Sequence, residues 1–427
     1  MKKKIYPSII LLLGVIILSI GGITLFRQYK KHSQPPISIT IASDIHYLSP
    51  EYRGTYFKEP SAMFDGKLIH YSPEYFDAFL AEVTQKQPNF LILSGDITLN
   101  GSLKSHEEVV EKLHAVQNNG TQVLVIPGNH DLNSAAGDYN PVEPLLVESA
   151  SEQRFLNMYE NFGLAQAISR DKNTFSYIYE ASPYLWILML DSNSIRKGFV
   201  EENTLDWIEM QLKKAKRLGI DVISVSHQNL HIHNEMLYFS YQLYNTDDLL
   251  TLYEKYNVKL NLSGHIHVQS IVSPDTAPDI TIPEIAVGSL AVCGTPYGEL
   301  TYDGNEITYQ TVKTDVSAYA ASQGYQDENL LHFNDYSFWY FEEVGRLQSY
   351  RAFLESDLSE TEKELLANTF AQINSHYFVG DRFSLQEYSE GIQLWHEQED
   401  NFTSRYIDTM IQEAEVDNQT LHIDLNK

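Results

Sequence analysis

Five short stretches of this 427-residue chain gather residue types that bind metals. They are SDIH (Asp44, His46), SGD (Asp96), GNHD (Asn129, His130, Asp131), SHQ (His227) and SGHIH (His265, His267). Carboxylate, amide and imidazole without sulfur suit zinc, iron or manganese, and magnesium less readily. Two divalent cations about 3.5–4 Å apart need a bridging anion. A carboxylate can share its two oxygens between cations and an imidazole cannot, so one aspartate must sit centrally. Taken singly the motifs mean little, because Asp and Gly are ordinary turn residues and a strand-end Asp commonly caps a helix. Their weight comes from position, since each closes an apolar run.

Those runs lie in ISITIASD (37–44), NFLILSGD (89–96), TQVLVIPG (121–128), YLWILMLD (184–191), VISVSH (222–227) and KLNLSGH (259–265). Near-continuous, β-branched runs are strands covered on both faces. Ligands of open α/β sheets collect outside the carboxyl ends of such strands. Helical patterns alternate with them. Ser72-Pro73 opens one, Ser105 with Glu108 predicts a capping box before VVEKLHAV, and TLDWIEMQLKKAKRLG stops at Gly219. The alternation predicts a layered α/β architecture. Asp303-Gly304 between alternating runs predicts a hairpin. From about residue 316 the chain reads as helical and acidic, with a second capping box at Ser359 and Glu362. The expected organisation is an anchor and linker over 1–35, a catalytic domain over 36–315 and a helical domain over 316–427.

The formal net charge is -27, and the first 32 residues hold six Lys or Arg and no acid. So acidic a body repels nucleic-acid polymers and anionic headgroups, which excludes DNA and RNA as partners. A small phosphorylated substrate needs local positive charge, which bound cations supply. The single cysteine, Cys293, excludes an intrachain disulfide and a thiolate metal cage, and reads as a buried apolar residue. Ser8 to Phe26 is an uncharged apolar segment behind MKKK. As a helix it spans roughly 28 Å, close to a bilayer core. With a poor cleavage site at Ser19-Ile20-Gly21, it reads as an uncleaved membrane anchor; cleavage would make the protein secreted. The terminal lysines favour an inside N-terminus and a body outside the cytoplasm.

The order D-x-H, GD, GNHD, H, GHxH resembles that of the calcineurin-like metallophosphoesterase superfamily. The short D-x-H spacing with GNHD is similar to its class III cyclic-nucleotide phosphodiesterase branch. SGDITLNGSLKSHEEVVEKL and SQGYQDENLLHF resemble bacterial membrane-associated members that append a helical domain. The resemblance implies a β-sheet sandwich flanked by helices and a dinuclear site of manganese, iron or zinc. Asp44, His46 and His267 would hold one metal, Asn129, His227 and His265 the other, and Asp96 would bridge them. A hydroxide between the cations would attack phosphorus in line, and His130 would contact the phosphoryl oxygen or protonate the leaving alkoxide. Asp131 would orient His130 or a ligand imidazole. The implied substrates are small phosphodiesters, cyclic nucleotides such as cAMP among them. A phosphomonoesterase, nucleotidase or cell-envelope phosphodiesterase would use the same metals, and a surface binding protein would keep the fold without turnover.

One departure concerns the fifth motif. Gln228 stands where many relatives have a second histidine, so His231 and His233 compete with His227 for the ligand role. Asp191, ending YLWILMLD, reads as structural. Arg53, Lys58 and Lys67 occupy a long irregular stretch and read as solvated charge rather than substrate contacts. Tyr297 and Cys293 are equally suited to packing and to lining a pocket. The other histidines lack ligand spacing, and Tyr340, Phe341 and Trp395 read as core.

Overall fold

The apolar runs become strands of two sheets. In the computed structural model, which describes residues 30–60, 65–140 and 143–426, the chain order begins β1 (Ile37–Ala42), α1 (Ser72–Lys86), β2 (Phe90–Leu93), α2 (Leu103–Asn118) and β3 (Gln122–Val125). A small hairpin, β4 (Gly137–Asp138) and β5 (Leu145–Leu146), precedes α3 (Glu152–Tyr159). Next come β6 (Ser169–Arg170), β7 (Tyr177–Ser182), β8 (Leu185–Met189), α4 (Glu202–Leu218), β9 (Asp221–Val225), α5 (Thr246–Tyr256) and β10 (Leu260–Ser263). The sheets close with β11 (Ser270–Val272), β12 (Glu284–Ala286), β13 (Pro296–Tyr302) and β14 (Glu306–Lys313). A helical region follows: α6 (Val316–Gln323), α7 (Glu328–Leu331), α8 (Phe333–Ala352), α9 (Glu360–Phe378), α10 (Ser389–His396) and α11 (Phe402–Gln412). The chain ends on β15 (Thr420–Asp424). The expected anchor, residues 8–26, lies outside the described residues, among which no helix is long and apolar enough to cross a membrane.

The first sheet has the order β15-β14-β13-β1-β2-β3, with β1, β2 and β3 parallel. The second has the order β11-β12-β10-β9-β8-β7-β6, with β12, β10, β9 and β8 parallel. They pack face to face. Alternation along β8 shows how: Leu185, Ile187 and Met189 join Ile41, Ile92 and Leu124 of the first sheet in one buried cluster. Trp186 and Leu188 point the other way, against Trp207, Ile208 and Leu212 of α4. Every β8 side chain is therefore buried, which is why the run reads as uninterrupted apolar text.

Local signals hold where nothing competes. Ser359 and Glu362 form the expected capping box of α9, and Gly219 ends α4 at φ 64. The hairpin turn between β13 and β14 carries Gly304 at φ 89. The box expected at Ser105 and Glu108 does not form, because α2 starts a turn earlier. Ser102 Oγ caps it by accepting from Ser105 N at 3.2 Å. Glu108 instead accepts from Tyr47 Oη and Ser49 Oγ, each at 2.9 Å. Strand β15 was not anticipated in an acidic, helical-looking tail; it pairs antiparallel with β14.

One buried carboxylate fixes the loop after β9. Glu284 accepts from the backbone N–H groups of Leu230 and His231, from Asn261 Nδ2 and Ser263 Oγ, and lies 3.2 Å from His233 Nε2. Of the two other candidates for the ligand role, His233 is thereby committed to Glu284 through its ring, and His231 Nε2 meets Ile282 O at 2.9 Å. Burial works against the Glu284 charge, but the hydrogen bond and charge of His233 outweigh it and hold the carboxyl down to about 2. Glu284→Ala is expected to cost about 3–5 kcal/mol, the range for uncovering one half of a buried pair, read as a lower urea midpoint. A depressed carboxyl stabilises above its unfolded value, near 4.5, and loses that contribution as pH falls toward 2. The advantage of the wild type over Glu284→Gln should accordingly shrink across that window.

Candidate metal centre

The parallel strands of both sheets deliver the five motifs to one edge. β1 leads into Asp44 and His46, β2 into Asp96, β3 into Asn129, β9 into His227, and β10 into His265 and His267. Backbone bonds lock the tips together. Asp44 N donates to Gly95 O at 3.1 Å, His46 N to Asp96 O at 2.9 Å, and Gly264 N to His227 O at 3.0 Å. The two sheets are joined at the same place, since Asp44 Oδ2 accepts from His265 N at 2.8 Å and His227 Nδ1 donates to Ser94 O at 3.0 Å.

All eight residues proposed from sequence converge. Asp44, His46 and His267 form one group, and Asp96, His227 and His265 another, each with candidate ligand atoms within 4.8 Å of one another. Asn129 Oδ1 lies 3.0 Å from His227 Nε2. Asp96 Oδ2 stands between the groups, 3.4 Å from His227 Nε2, 4.0 Å from His46 Nε2 and 3.9 Å from His130 Nε2. Its other oxygen accepts from His130 N at 2.8 Å. The central aspartate required by the chemistry is thus Asp96.

Holding the ligands costs backbone strain. Asp44, His46, Asp96, His265 and His267 all lie at positive φ, between 47° and 68°. For a residue with a Cβ this region costs roughly 1–2 kcal/mol, although Asp and His tolerate it better than most. The sharp turns at the site are thus made mostly by the candidate ligands themselves rather than by the glycines beside them. Two glycines serve close approach instead. A Cβ on Gly128 would lie 2.2 Å from Asp96 Oδ1, and one on Gly264 would lie 1.7 Å from Ser43 Oγ.

Second hydrogen bonds set the imidazole tautomers. His227 Nδ1–H donates to Ser94 O and His265 Nε2–H to Ser240 O, which leaves the opposite nitrogen of each ring for the site. His130 Nδ1 sits 2.8 Å from Leu99 O, so it carries the proton and Nε2 faces inward. Burial holds His46 well below the usual imidazole range and pushes His265 down to about 4. Neutral rings present lone pairs to a cation. Burial disfavours charge on His227 too, but Asp96 raises it to about 9; burial would raise Asp96, which His227 and His130 hold well below the carboxylate range.

The donor set fits two cations. Asp44 Oδ1 is buried 3.2 Å from His267 Nε2 yet receives no hydrogen bond of normal geometry, and His46 Nε2 faces His267 Nε2 at 3.1 Å. Two imidazole nitrogens and a carboxylate oxygen gathered within 4.8 Å of one another make a donor set that a cation can bind. His130 differs in exposure: its side chain is 33% exposed, against 0–1% for His46, His227 and Asp96.

Other candidates fall elsewhere. Asp131 touches no imidazole through its carboxylate, which accepts from the N–H groups of Ile97, Thr98 and Gly128 and so binds two ligand loops together. Asp191 accepts from Phe175 N, Asn193 N and Ser194 N, a structural role. Gln228 is buried and exchanges hydrogen bonds with Asn193. Arg53 pairs with Glu74, Lys58 is exposed, Cys293 is buried beside Phe341 and Val379, and Tyr297 donates to Glu82. Lys67 reverses its expectation: only 7% exposed, it lines the cleft over the cluster and pairs with Asp65 at 2.9 Å. That cleft, about 370 Å³, is walled on one side by the helical region, a contribution that no ligand motif announces.

Residues 37–269 match the family model described as calcineurin-like phosphoesterase. Residues 315–417 match that of the C-terminal domain of cyclic nucleotide phosphodiesterase. Among curated proteins no sequence matches the chain. Among solved structures, a dimetal phosphatase from Danio rerio is similar over 66% of this chain and 100% of that one, at 12% identity and a TM-score of 0.49. Purple acid phosphatase from yellow lupin (Lupinus luteus) seeds is similar over 66% of this chain and 52% of its own, at 10% identity and a TM-score of 0.42. With more than half of its residues matched by the first family model, the chain belongs to the calcineurin-like phosphoesterase family and is a metal-dependent phosphoester hydrolase.

Proposed function

We propose that the protein is a phosphodiesterase of small nucleotides, with cyclic nucleotides such as cAMP as its substrates. The observation that carries this reading is the cleft. Its floor is Asp96, His130, His265 and His267, and its wall comes from the segment that matches the C-terminal domain of cyclic nucleotide phosphodiesterase. Asp44, His46 and His267 would hold one divalent cation and Asn129, His227 and His265 a second, with Asp96 shared by both groups, and the bound metals would supply Lewis acidity and a nucleophile at neutral pH. The chain's own residues do the rest. His130, with Nδ1–H pinned to Leu99 O, presents Nε2 to the cleft; as the imidazolium it carries a second proton on Nε2, gives that proton to the leaving oxygen and is left as the neutral Nδ1–H ring. Lys67, paired with Asp65 on the same lining, places in the cleft an ammonium group that a phosphate can meet.

Cyclic mononucleotides, mononucleotides and bis(p-nitrophenyl) phosphate, each assayed with manganese, test the reading. Diesters should be hydrolysed; turnover of monoesters alone would remove the diesterase assignment. In the same assay Asp96→Asn should lose bound manganese together with activity. His130→Ala should retain the metal and lose about 10²–10⁴ in kcat, the usual share of a general acid. Full activity in either variant would displace the site.

We also assign the protein to the membrane, with Ser8 to Phe26 as a single span and the catalytic body outside the cytoplasm; the support is the length and charge flanks of that segment. The full chain should sediment with membranes and be released by detergent but not by salt. A shortened soluble form would mean cleavage instead.

A further inference from the structure

The cleft has two unlike sides. Over the cluster lie the ligands and Lys67, the one lysine or arginine among the described residues lining it, with its ion-pair partner Asp65 beside it. Across from them stand α8 and α9, which contribute Phe341, Gly345, Phe370 and Asn374, with Tyr241 at the side. A volume of about 370 Å³ falls at the small end of ligand pockets, roughly 300–1,000 Å³. It holds one compact molecule rather than a polymer.

Gly345 is the informative residue. It lies inside the 20-residue α8, where glycine is less favourable than alanine by about 1 kcal/mol. Packing does not demand it. A Cβ there would meet Ala371 at 3.6 Å and Phe370 at 3.8 Å, ordinary van der Waals contacts, and its φ is not left-handed. Because Gly345 lines the cleft beside α9, a side chain larger than alanine would crowd both the cleft and that helix. Two turns of helix partners supply the complementary chemistry. Phe370 offers an aromatic surface, and Asn374, 8% exposed, accepts from Tyr406 Oη at 3.3 Å while its Nδ2 makes no hydrogen bond among the described residues. An aromatic wall with an amide, opposite a phosphate-binding floor, is the chemistry that recognises a purine or pyrimidine joined to a phosphate.

We propose that the helical region is the recognition wall for the base of a small nucleotide: Gly345 leaves its room, Asn374 hydrogen-bonds its edge, and Lys67 meets the phosphate. This rests on the phosphodiesterase reading above and names what selects the substrate. The test compares kcat/KM for cAMP with that for methyl p-nitrophenyl phosphate, a diester without a heterocycle, using the full chain with manganese. Gly345→Leu and Asn374→Leu should lower the ratio by about tenfold or more, as loss of fit or of a hydrogen bond does in a built pocket. Lys67→Met should lower both values together, because both substrates carry the phosphate. Should Gly345→Leu not fold, Gly345→Ala replaces it: a higher Tm together with a lower ratio supports the proposal. A higher Tm with the ratio unchanged opposes it. Ratios within about twofold of the wild type in the glycine and Asn374 variants overturn the recognition wall while leaving the phosphodiesterase standing. Wild-type hydrolysis of the methyl ester with no turnover of any nucleotide overturns both.

Discussion

The carboxylate of Asp96 is the point on which the structure turns. One of its oxygens faces three imidazoles and the other takes the N–H of His130. It stands at the junction of two sheets, where β1, β2, β3, β9 and β10 deliver their terminal residues. A buried carboxylate without such partners would be raised toward neutrality; here the surrounding rings keep it ionised. The loops that carry those rings are fixed in turn by further buried carboxylates, Asp131 under the first-sheet loops and Glu284 under the loop after β9. Three buried acids thus set one geometry.

The strain at the ligands belongs to the same picture. Left-handed backbone at Asp44, His46, Asp96, His265 and His267 persists because neighbouring strands and the packed residues between them over-determine it. Ile45 and Ile266, the middle residues of D-x-H and H-x-H, are 0% and 4% exposed. Each anchors a turn whose flanking side chains then project together toward the site. Packing energy from the core is what holds the ligands in a conformation that an isolated peptide would leave.

The strands, the ligand set and the central place of an aspartate were legible in the sequence, because period, burial and donor chemistry act on side chains. What was hidden acts through backbone. Ser94, Leu99 and Ser240 set three imidazole tautomers through carbonyl groups, which every residue type possesses. Ser105 and Glu108 matched a capping pattern, yet Tyr47 and Ser49, distant in sequence, claimed the glutamate. Lys67 reads as surface charge in the sequence because nothing local shows that it lines a cleft shared with α8. β15 was missed because its five residues pair only with a strand more than a hundred positions earlier.

That last strand changes what the helical region is in topological terms. The chain leaves the first sheet from β14, builds six helices, and re-enters the same sheet beside the strand it left. On the way back Asn418 accepts from Ile271 N of the second sheet and Gln419 O from Thr311 N of the first. The region is therefore an insertion sutured at both ends, not an appendage. Truncating the chain ahead of α6 would do more than remove helices: it would bare the long flank of β14, an unprotected edge of the kind that recruits other chains.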